Sequence, residues 1–428
     1  MRADIRQNVR HNFAVNVLDG GFYGFALSFA SFVTVLPLFI STLTDSTLLV
    51  GLIASIHSIG WFFPQLLTAR HVGRMKRYRP MVVFLTLQER LPYFPLAIVA
   101  WLAVGSLDKS VALFLTFFIV IWQSLGAGLT ATPWQSMIAK VMPENWRGTF
   151  YGMQSALANL CGMGGAIAAG LILKELPSPL DFTLCFLLCG IFMMVSLPFL
   201  AWTREPAVEA PPENMLSWRE FAAKLIAIIR ANRNYRWFVA ARMLAQLAVV
   251  GSAFYTIYAV RHFGMDEGTA GIMTGVLMLA QTLSNPLIGW LGDRLSHRTM
   301  YAVGVLMAGG SGIVALIAPS LSWFYVVFAL IGAANAALWT TPMAFIVEFG
   351  AENERPYYIG LTNTLVAPAS LIIPLVGGWL ADAVGFNATF VLAGVGGIAA
   401  ALMLQFIVRE PRRRAIAPQP TFAAQSMD

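Results

Sequence analysis

Long apolar runs separated by short polar segments make up most of this chain. A helix needs about 20 apolar residues to cross the hydrocarbon core of a bilayer, and runs of this length recur throughout. The pattern predicts an all-α integral membrane protein with twelve transmembrane helices. The predicted spans are 12–41, 46–69, 80–105, 110–138, 149–173, 182–202, 237–260, 268–291, 299–318, 322–347, 357–381 and 387–408.

Composition excludes an ordinary soluble protein. Of the 428 residues, 58% are hydrophobic and only 11% are charged, so membrane lipid is the expected surrounding. The apolar run that follows residues 1–11 is longer than the core of a cleavable signal peptide. We therefore expect the first span to stay in the protein.

The basic residues predict how the chain is oriented. Lys and Arg are retained on the cytoplasmic side of membrane proteins, and here they cluster in alternate connections. The opposite connections hold only Lys109, Lys174 and Arg261. This distribution predicts a multi-pass protein of the plasma (inner) membrane with both termini cytoplasmic. It also accounts for the net charge of +7 without nucleic acid, because the cations do not form one basic patch.

The two halves of the chain repeat one another. "ENWRGTFYG" from Glu144 is matched by "ENERPYYIG" from Glu352, and each half ends in "REP", at residues 204–206 and 409–411. The repeat predicts two six-helix bundles related by a pseudo-repeat. The predicted segments are a cytoplasmic N-terminal segment 1–11, a bundle 12–202, a cytoplasmic linker 203–236, a bundle 237–408 and a cytoplasmic tail 409–428.

The linker contains a predicted surface helix. Ser217 and Glu220 have the spacing of a capping box. Apolar residues follow at helical spacing, at Trp218, Phe221, Leu225 and Ile229. An amphipathic helix on the cytoplasmic face and a plain tether are both compatible with this pattern.

Six plus six spans, parallel repeats and a long middle loop resemble the major facilitator superfamily of secondary transporters. The loop "GWLGDRLSHR" is similar to that family's Gly-x-Leu-Ala-Asp-Arg-x-Gly-Arg-Lys sequence. Gly289, Leu291, Asp293, Arg294 and Arg298 fit this pattern, whereas Gly292, Ser296 and His297 depart from it. The resemblance implies that Gly289, Asp293, Arg294 and Arg298 form a gating loop. In the first half the equivalent loop is degenerate, with Leu67 at the position of Gly289 and His71 at that of Asp293.

Four ionisable residues lie inside predicted spans. They are Asp19, Glu89, Arg90 and Arg242, and each would be costly at the bilayer centre without a partner or a water-filled cavity. Glu89 and Arg90, in "TLQERLPYFPL", point about 100° apart on a helix, so each must look to another helix. Asp19 and Arg242 occupy nearly equivalent positions in the two halves. The resemblance implies that both line the central cavity, where we expect them to face each other or the substrate; a purely structural ion-pair network is the alternative.

Uncharged polar side chains in the spans supply further candidates for substrate contacts. They are His57, Gln123, Gln246, Gln281 and Asn335. For each of them taken singly, a contact between helices is the favoured explanation.

The sequence predicts a transporter rather than an enzyme. We find no catalytic set, metal cluster or phosphate-binding loop, and expect no cofactor. The resemblance implies alternating access with a small-molecule substrate, coupling to protons by symport, and a monomer. The alternatives are an efflux exporter of drugs or metabolites and, less favoured, a receptor of the same fold that does not transport.

Overall fold

The computed structural model describes residues 3–207 and 217–411 of the chain. The predicted linker residues 208–216 and tail residues 412–428 lie outside the described residues, as do Met1 and Arg2. Within the described ranges the regular elements are all helical. This agrees with the predicted all-α class.

Seventeen α-helices are formed by the described residues. They are α1 (Ala3–Ser28), α2 (Val35–Leu43), α3 (Thr47–Phe62), α4 (Gln65–Val72), α5 (Arg79–Arg90), α6 (Tyr93–Leu102), α7 (Lys109–Val141), α8 (Arg147–Glu175), α9 (Leu180–Ala201), α10 (Trp218–Ala231), α11 (Arg233–Val249), α12 (Tyr255–Phe263), α13 (Glu267–Arg294), α14 (His297–Ile317), α15 (Trp323–Ile346), α16 (Arg355–Ala383) and α17 (Phe386–Leu402).

Ten helical segments of the described residues are long and apolar enough to cross a membrane. They correspond to the third to twelfth predicted spans. The first two predicted spans, 12–41 and 46–69, are each built from two consecutive helices, α1 with α2 and α3 with α4. The chain is therefore a multi-pass integral membrane protein. Its twelve predicted spans divide into two sets of six.

Several spans are interrupted where the sequence disfavours a continuous helix. Pro64 separates α3 from α4, and Pro92 separates α5 from α6, because proline removes a backbone donor and clashes with the preceding turn. The break between α1 and α2 contains no proline; there the Ser31 hydroxyl accepts from the amides of Val33 and Thr34. At the other end of α1, the helix already begins at Ala3, so most of the predicted N-terminal segment 1–11 is helical.

The two "REP" segments close the two bundles in the same way. The amide of Arg204 donates to Asn12 Oδ1 at 2.8 Å, and Asn12 Nδ2 donates back to the Arg204 carbonyl at 2.9 Å. The amide of Arg409 and Asn234 make the same reciprocal pair, at 2.6 and 2.8 Å. We call these two pairs the clasps. Each clasp joins the first helix of a bundle to the residues that follow its last helix.

The glutamates of the same segments anchor a third helix in each bundle. Glu205 accepts from the amides of Tyr78 and Arg79 at the start of α5, at 2.8 and 2.7 Å, where a helix N-terminus favours negative charge. Glu410 accepts from the Ser296 hydroxyl at the start of α14. The end of the molecule that carries both clasps is called the basic end below.

The predicted linker helix is present as α10. Its Ser217 and Glu220 form the predicted capping box, and their hydrogen bonds lower the pKa of Glu220. Phe221 is buried against the second bundle, whereas Trp218 lies under Arg70 of the first bundle, with 4.4 Å from the guanidinium to the ring centroid. The helix therefore bridges both bundles at the basic end.

Candidate functional site

A buried ion pair lies inside the first bundle. Arg90 Nη2 of α5 is 3.2 Å from Asp19 Oδ1 of α1, and the two side chains are 2% and 8% exposed. The same guanidinium donates to the Met193 carbonyl at 2.6 Å, to the Ser196 hydroxyl, and through Nε to Thr86 at 2.9 Å. Arg90 thus ties α1, α5 and α9 together through hydrogen bonds that satisfy a charge buried in an apolar setting.

Glu89 uses a different partner on α1. The Tyr23 hydroxyl donates to Glu89 Oε1, and the Thr86 hydroxyl lies 3.4 Å from Oε2. The Tyr23 ring also faces Arg90, with 5.5 Å from the guanidinium carbon to the ring centroid. Glu89 and Arg90 therefore engage separate groups on α1, as their spacing along the helix predicts.

Arg242 in the second bundle has different surroundings. Its described neighbours are the tyrosines Tyr235 and Tyr301, and its Nη1 is buried without a described hydrogen-bond partner. No ion pair of Arg242 with a carboxylate is formed among the described residues. The guanidinium is therefore only partly compensated by the protein.

The expected pairing of Asp19 with Arg242 is absent from this conformation. Asp19 is held by Arg90, within the first bundle, and Arg242 lies beside Tyr301, within the second. The physical reason is that α5 presents a cation to α1 at close range, so the carboxylate is satisfied without crossing between bundles.

Two of the uncharged candidates are brought together. His57 of α3 and Gln123 of α7 interact through their side chains, and the His57 ring stacks on Phe32 with 3.9 Å between centroids. The structure leaves Gln246 on α11, Gln281 on α13 and Asn335 on α15, each partly exposed. No described hydrogen bond joins these three to the buried charges.

The gating loop forms a contact between the bundles. Asp293 near the end of α13 accepts from the amides of Gly148 and Thr149 at the start of α8, at 2.8 and 2.6 Å. Gly289 and Gly148 allow this approach, because an added Cβ on Gly289 would lie 2.1 Å from the Gly148 carbonyl oxygen. We call the contact of Asp293 with Gly148 and Thr149 the latch.

The two arginines of the loop do not take part in the latch. Arg294 lies over the ring of Trp290, 4.2 Å from its centroid, and Arg298 donates to the Val408 carbonyl at 2.7 Å. Both contacts lie within the second bundle. Their described role is to fix the loop and the neighbouring clasp.

A second crossing between the bundles involves a residue that sequence reasoning missed. Asn363 Nδ2 of α16 donates to Gln65 Oε1 of α4 at 2.6 Å, and both side chains are buried. Gln65 precedes His71, the first-half counterpart of Asp293, so this amide pair is a separate contact between the bundles. Gln65 carried no signal beyond being a polar residue beside Pro64.

Extensive contacts between the bundles are concentrated toward the basic end. They involve α8 with α13 and α15, and α16 with α3, α4 and α7. Trp61 of α3 and Trp339 of α15 also meet across the bundles, with 6.2 Å between ring centroids. Trp339 is nevertheless 50% exposed, so it borders the space between the bundles.

A comparison of sequence profiles matches residues 242–426 to the Major Facilitator Superfamily, and solved structures of this superfamily match nearly the whole chain. The second half of the chain thus matches the superfamily model, and the whole chain shares the fold of solved members. This similarity agrees with the predicted fold and with the expectation of a transporter rather than an enzyme.

Individual transporters are similar to this chain at low identity. The gentisate transporter of Corynebacterium glutamicum is 25% identical over 294 residues, which cover 67% of this chain and 65% of that protein. The E. coli fucose:proton symporter FucP has a TM-score of 0.73 at 16% identity, covering 92% of this chain and 98% of that one. The human organic anion transporter MFSD10 has a TM-score of 0.73 at 14% identity, covering 95% and 100%.

Proposed function

We propose that this protein is a secondary transporter of the major facilitator superfamily that moves a small organic solute by alternating access between its two bundles. The observation that carries the proposal is the latch. Asp293 of one bundle is held by two main-chain amides of the other, so a rigid rotation can release it without unfolding a helix. The Gln65–Asn363 bond at the second crossing is of the same releasable kind.

The orientation follows from the basic connections. We place the basic end in the cytoplasm and the protein in the plasma (inner) membrane, because Lys and Arg are retained on that side. The latched structure is then closed to the cytoplasm and faces outward. Solute enters between the bundles from the side opposite the clasps.

An organic anion is the favoured class of solute. Arg242 keeps a buried Nη1 without a described partner, and a carboxylate is the group that best satisfies a guanidinium. The names of two similar proteins, the gentisate transporter and the organic anion transporter MFSD10, are in line with this choice. A neutral solute would leave the Arg242 guanidinium without a counter-charge.

The coupling ion is proposed to be a proton carried by Asp19 or Glu89. Both carboxylates are buried beside Arg90, and protonation of Asp19 would release the guanidinium from it. The released guanidinium of Arg90 can then interact with a second charge of the solute, or with a partner that a change of conformation brings near. This arrangement corresponds to proton symport, by a protein expected to act as a monomer.

The test is uptake by purified protein in proteoliposomes with an acidic outside. We would compare a hydroxybenzoate with its uncharged amide, and expect accumulation of the anion alone. Arg242→Ala should raise the KM by about tenfold or more, because a hydrogen bond to a charged group contributes ~1.5–3 kcal/mol. Arg261→Gln is the matched control, since Arg261 is exposed and lies over the Phe386 ring.

The carboxylates are tested in the same vesicles. Asp19→Asn or Glu89→Gln should abolish pH-driven accumulation while leaving exchange of solute across the membrane intact. Efflux of a drug or metabolite driven by an inverted gradient, without transport of the hydroxybenzoate in either direction, would favour the exporter. A folded protein that transports nothing and tolerates both substitutions in the cell would favour the receptor.

A further inference from the structure

The gating loop departs from the family pattern at Gly292, Ser296 and His297, and the three departures fit together in the structure. An added Cβ on Gly292 would lie 2.7 Å from Cδ2 of His297, so the imidazole fits because residue 292 is glycine. Ser296 caps α14 by accepting from the Thr299 amide at 3.1 Å. The loop is therefore built around the histidine.

His297 lies between two buried carboxylates. Its Nδ1 is 2.8 Å from Glu348 Oε1, and its Nε2 is 3.3 Å from Asp293 Oδ1. All three side chains are at most 3% exposed. Asp293 is the latch residue itself, and a Cβ on Gly148 would lie 2.7 Å from His297 Nε2. The imidazole thus borders the other bundle.

The charged groups around His297 come from both bundles. Asp293 belongs to α13, Glu348 follows α15, and Arg147 at the start of α8 interacts electrostatically with Glu348. Beyond Arg147 lie Glu144, at 3.8 Å from it, and Arg355 of α16, at 3.7 Å from Glu144. Glu144 is 65% exposed, so the carboxylates buried beside His297 are those of Asp293 and Glu348. A protonated His297 adds a positive charge to this buried set.

We propose that His297 is a proton-binding site that couples protonation at the basic end to closure of the latch. The inference rests on the proposed alternating access, and it names a site for a proton outside the central charges. With the proton, both ring nitrogens donate, to Glu348 and to Asp293. Without it, one nitrogen presents a lone pair to a buried carboxylate, and the two carboxylates lose the cation between them, which is unfavourable.

The protonation step is simple to write. The neutral ring keeps its hydrogen on Nδ1, which donates to Glu348, and the lone pair of Nε2 takes a proton from water at the basic end. The new N–H points to Asp293, which keeps its two bonds from Gly148 and Thr149. Opening separates Asp293 from α8 and exposes the set to water, where charge balance matters less. Acid therefore stabilises the closed basic end.

The test measures the conformational equilibrium directly. Spin labels at Arg77 and Ala351 report the basic end, and labels at Ser106 and Val384 report the opposite end, after the three native cysteines are replaced. We would record both distances by double electron–electron resonance from pH 5 to 9. One linked proton changes the ratio of closed to open molecules by up to about tenfold per pH unit.

Two variants isolate the histidine. His297→Gln removes the titrating group, so the distances should no longer change with pH. The double variant Gly292→Ala with His297→Arg has the family residues at these two positions and a fixed positive charge at residue 297. The basic end should therefore stay closed from pH 5 to 9. His11→Gln is the matched control: His11 also lies at the basic end but bonds only to the Trp202 carbonyl within its own bundle, and the pH response should remain.

The outcomes separate this site from the proposed transport mechanism. A pH response that survives in His297→Gln overturns the proton site. If Asp293→Asn opens the basic end but the parent protein does not respond to pH, the latch stands and the proton site fails. If neither pH nor Asp293→Asn moves either distance, alternating access itself fails.

Discussion

The interiors of the two bundles differ at equivalent places. In the first bundle, Asp19 of α1 meets Arg90, which is bonded to three further groups. In the second, Arg242 of α11 meets tyrosines and retains a buried nitrogen without a described partner. The two halves therefore carry an intramembrane charge at equivalent positions. The two charges differ in sign and in how fully the protein supplies them with hydrogen-bond and ion-pair partners. The first charge holds helices together, and the second is the one that we propose binds the solute.

Removal of Arg90 should have the largest effect on stability. Arg90→Met leaves Asp19 buried without its cation, and breaking a buried pair in this way costs about 3–5 kcal/mol. The measurement is thermal unfolding of the detergent-purified protein. The double variant Asp19→Leu with Arg90→Met should recover much of the loss, and a double variant as unstable as Arg90→Met would contradict the pairing.

The glutamates beside the two clasps, Glu205 and Glu410, should have the next largest effect, and the effect should differ between the bundles. Glu205→Gln weakens the cap of α5 and the 2.8 Å contact with Lys140, for a loss of about 1.5–3 kcal/mol, the range for hydrogen bonds to charged groups. Glu410→Gln should cost less, because Glu410 accepts from one hydroxyl and lies 4.0 Å from Arg298. Unfolding of both variants under identical conditions checks the order of the two losses. Equal losses would show that the two glutamates contribute equally to stability.

A smaller effect is expected at Tyr23. Tyr23→Phe keeps the ring over Arg90 but removes the hydroxyl that donates to Glu89. The loss should be about 1.5 kcal/mol, the low end for a bond to a charged group, because Thr86 continues to donate to Glu89. The unfolding temperature should fall only slightly, while proton-driven uptake should change its pH dependence if Glu89 carries the proton. An unchanged pH profile would restrict Tyr23 to a structural role.

Arg242 should matter least for stability. Arg242→Met removes a guanidinium that the protein compensates only in part, so unfolding should shift by less than about 0.5 kcal/mol or toward higher stability. Stabilisation of the parent protein by hydroxybenzoate should vanish in the variant. A loss of stability as large as that of Arg90→Met would mean that Arg242 is a structural cation after all.

The fold was predictable because each bilayer crossing leaves a separate apolar run, and because the two halves carry matching residues such as Arg147 and Arg355. The helix breaks at Pro64 and Pro92 lie inside single predicted spans and were not predicted, because proline also occurs inside continuous helices such as α7 and α13. The break after Ser28 had no proline signal, since it depends on a local hydroxyl and on packing. The fold therefore follows from periodic, local features of the chain.

The partners of the buried charges were less predictable. Their positions along the chain do not give the rotation of one helix against the next, so the sequence led us to expect Asp19 to face Arg242 or the substrate and did not single out Arg90 as its partner. Asp293 was found because its loop has a recognisable pattern. Gln65 and Glu348 were not, because a single polar residue at a helix end has many explanations until its neighbour across the interface is known.

The clasps have a consequence for how the chain can be divided. Asn12 with Arg204, and Asn234 with Arg409, each join the beginning of a half to its end, so neither half needs the other to complete its own ring of helices. A gene cut within the segment between the clasps would encode two polypeptides, each with its own closure. Such fragments, produced together, should reassemble into the full molecule.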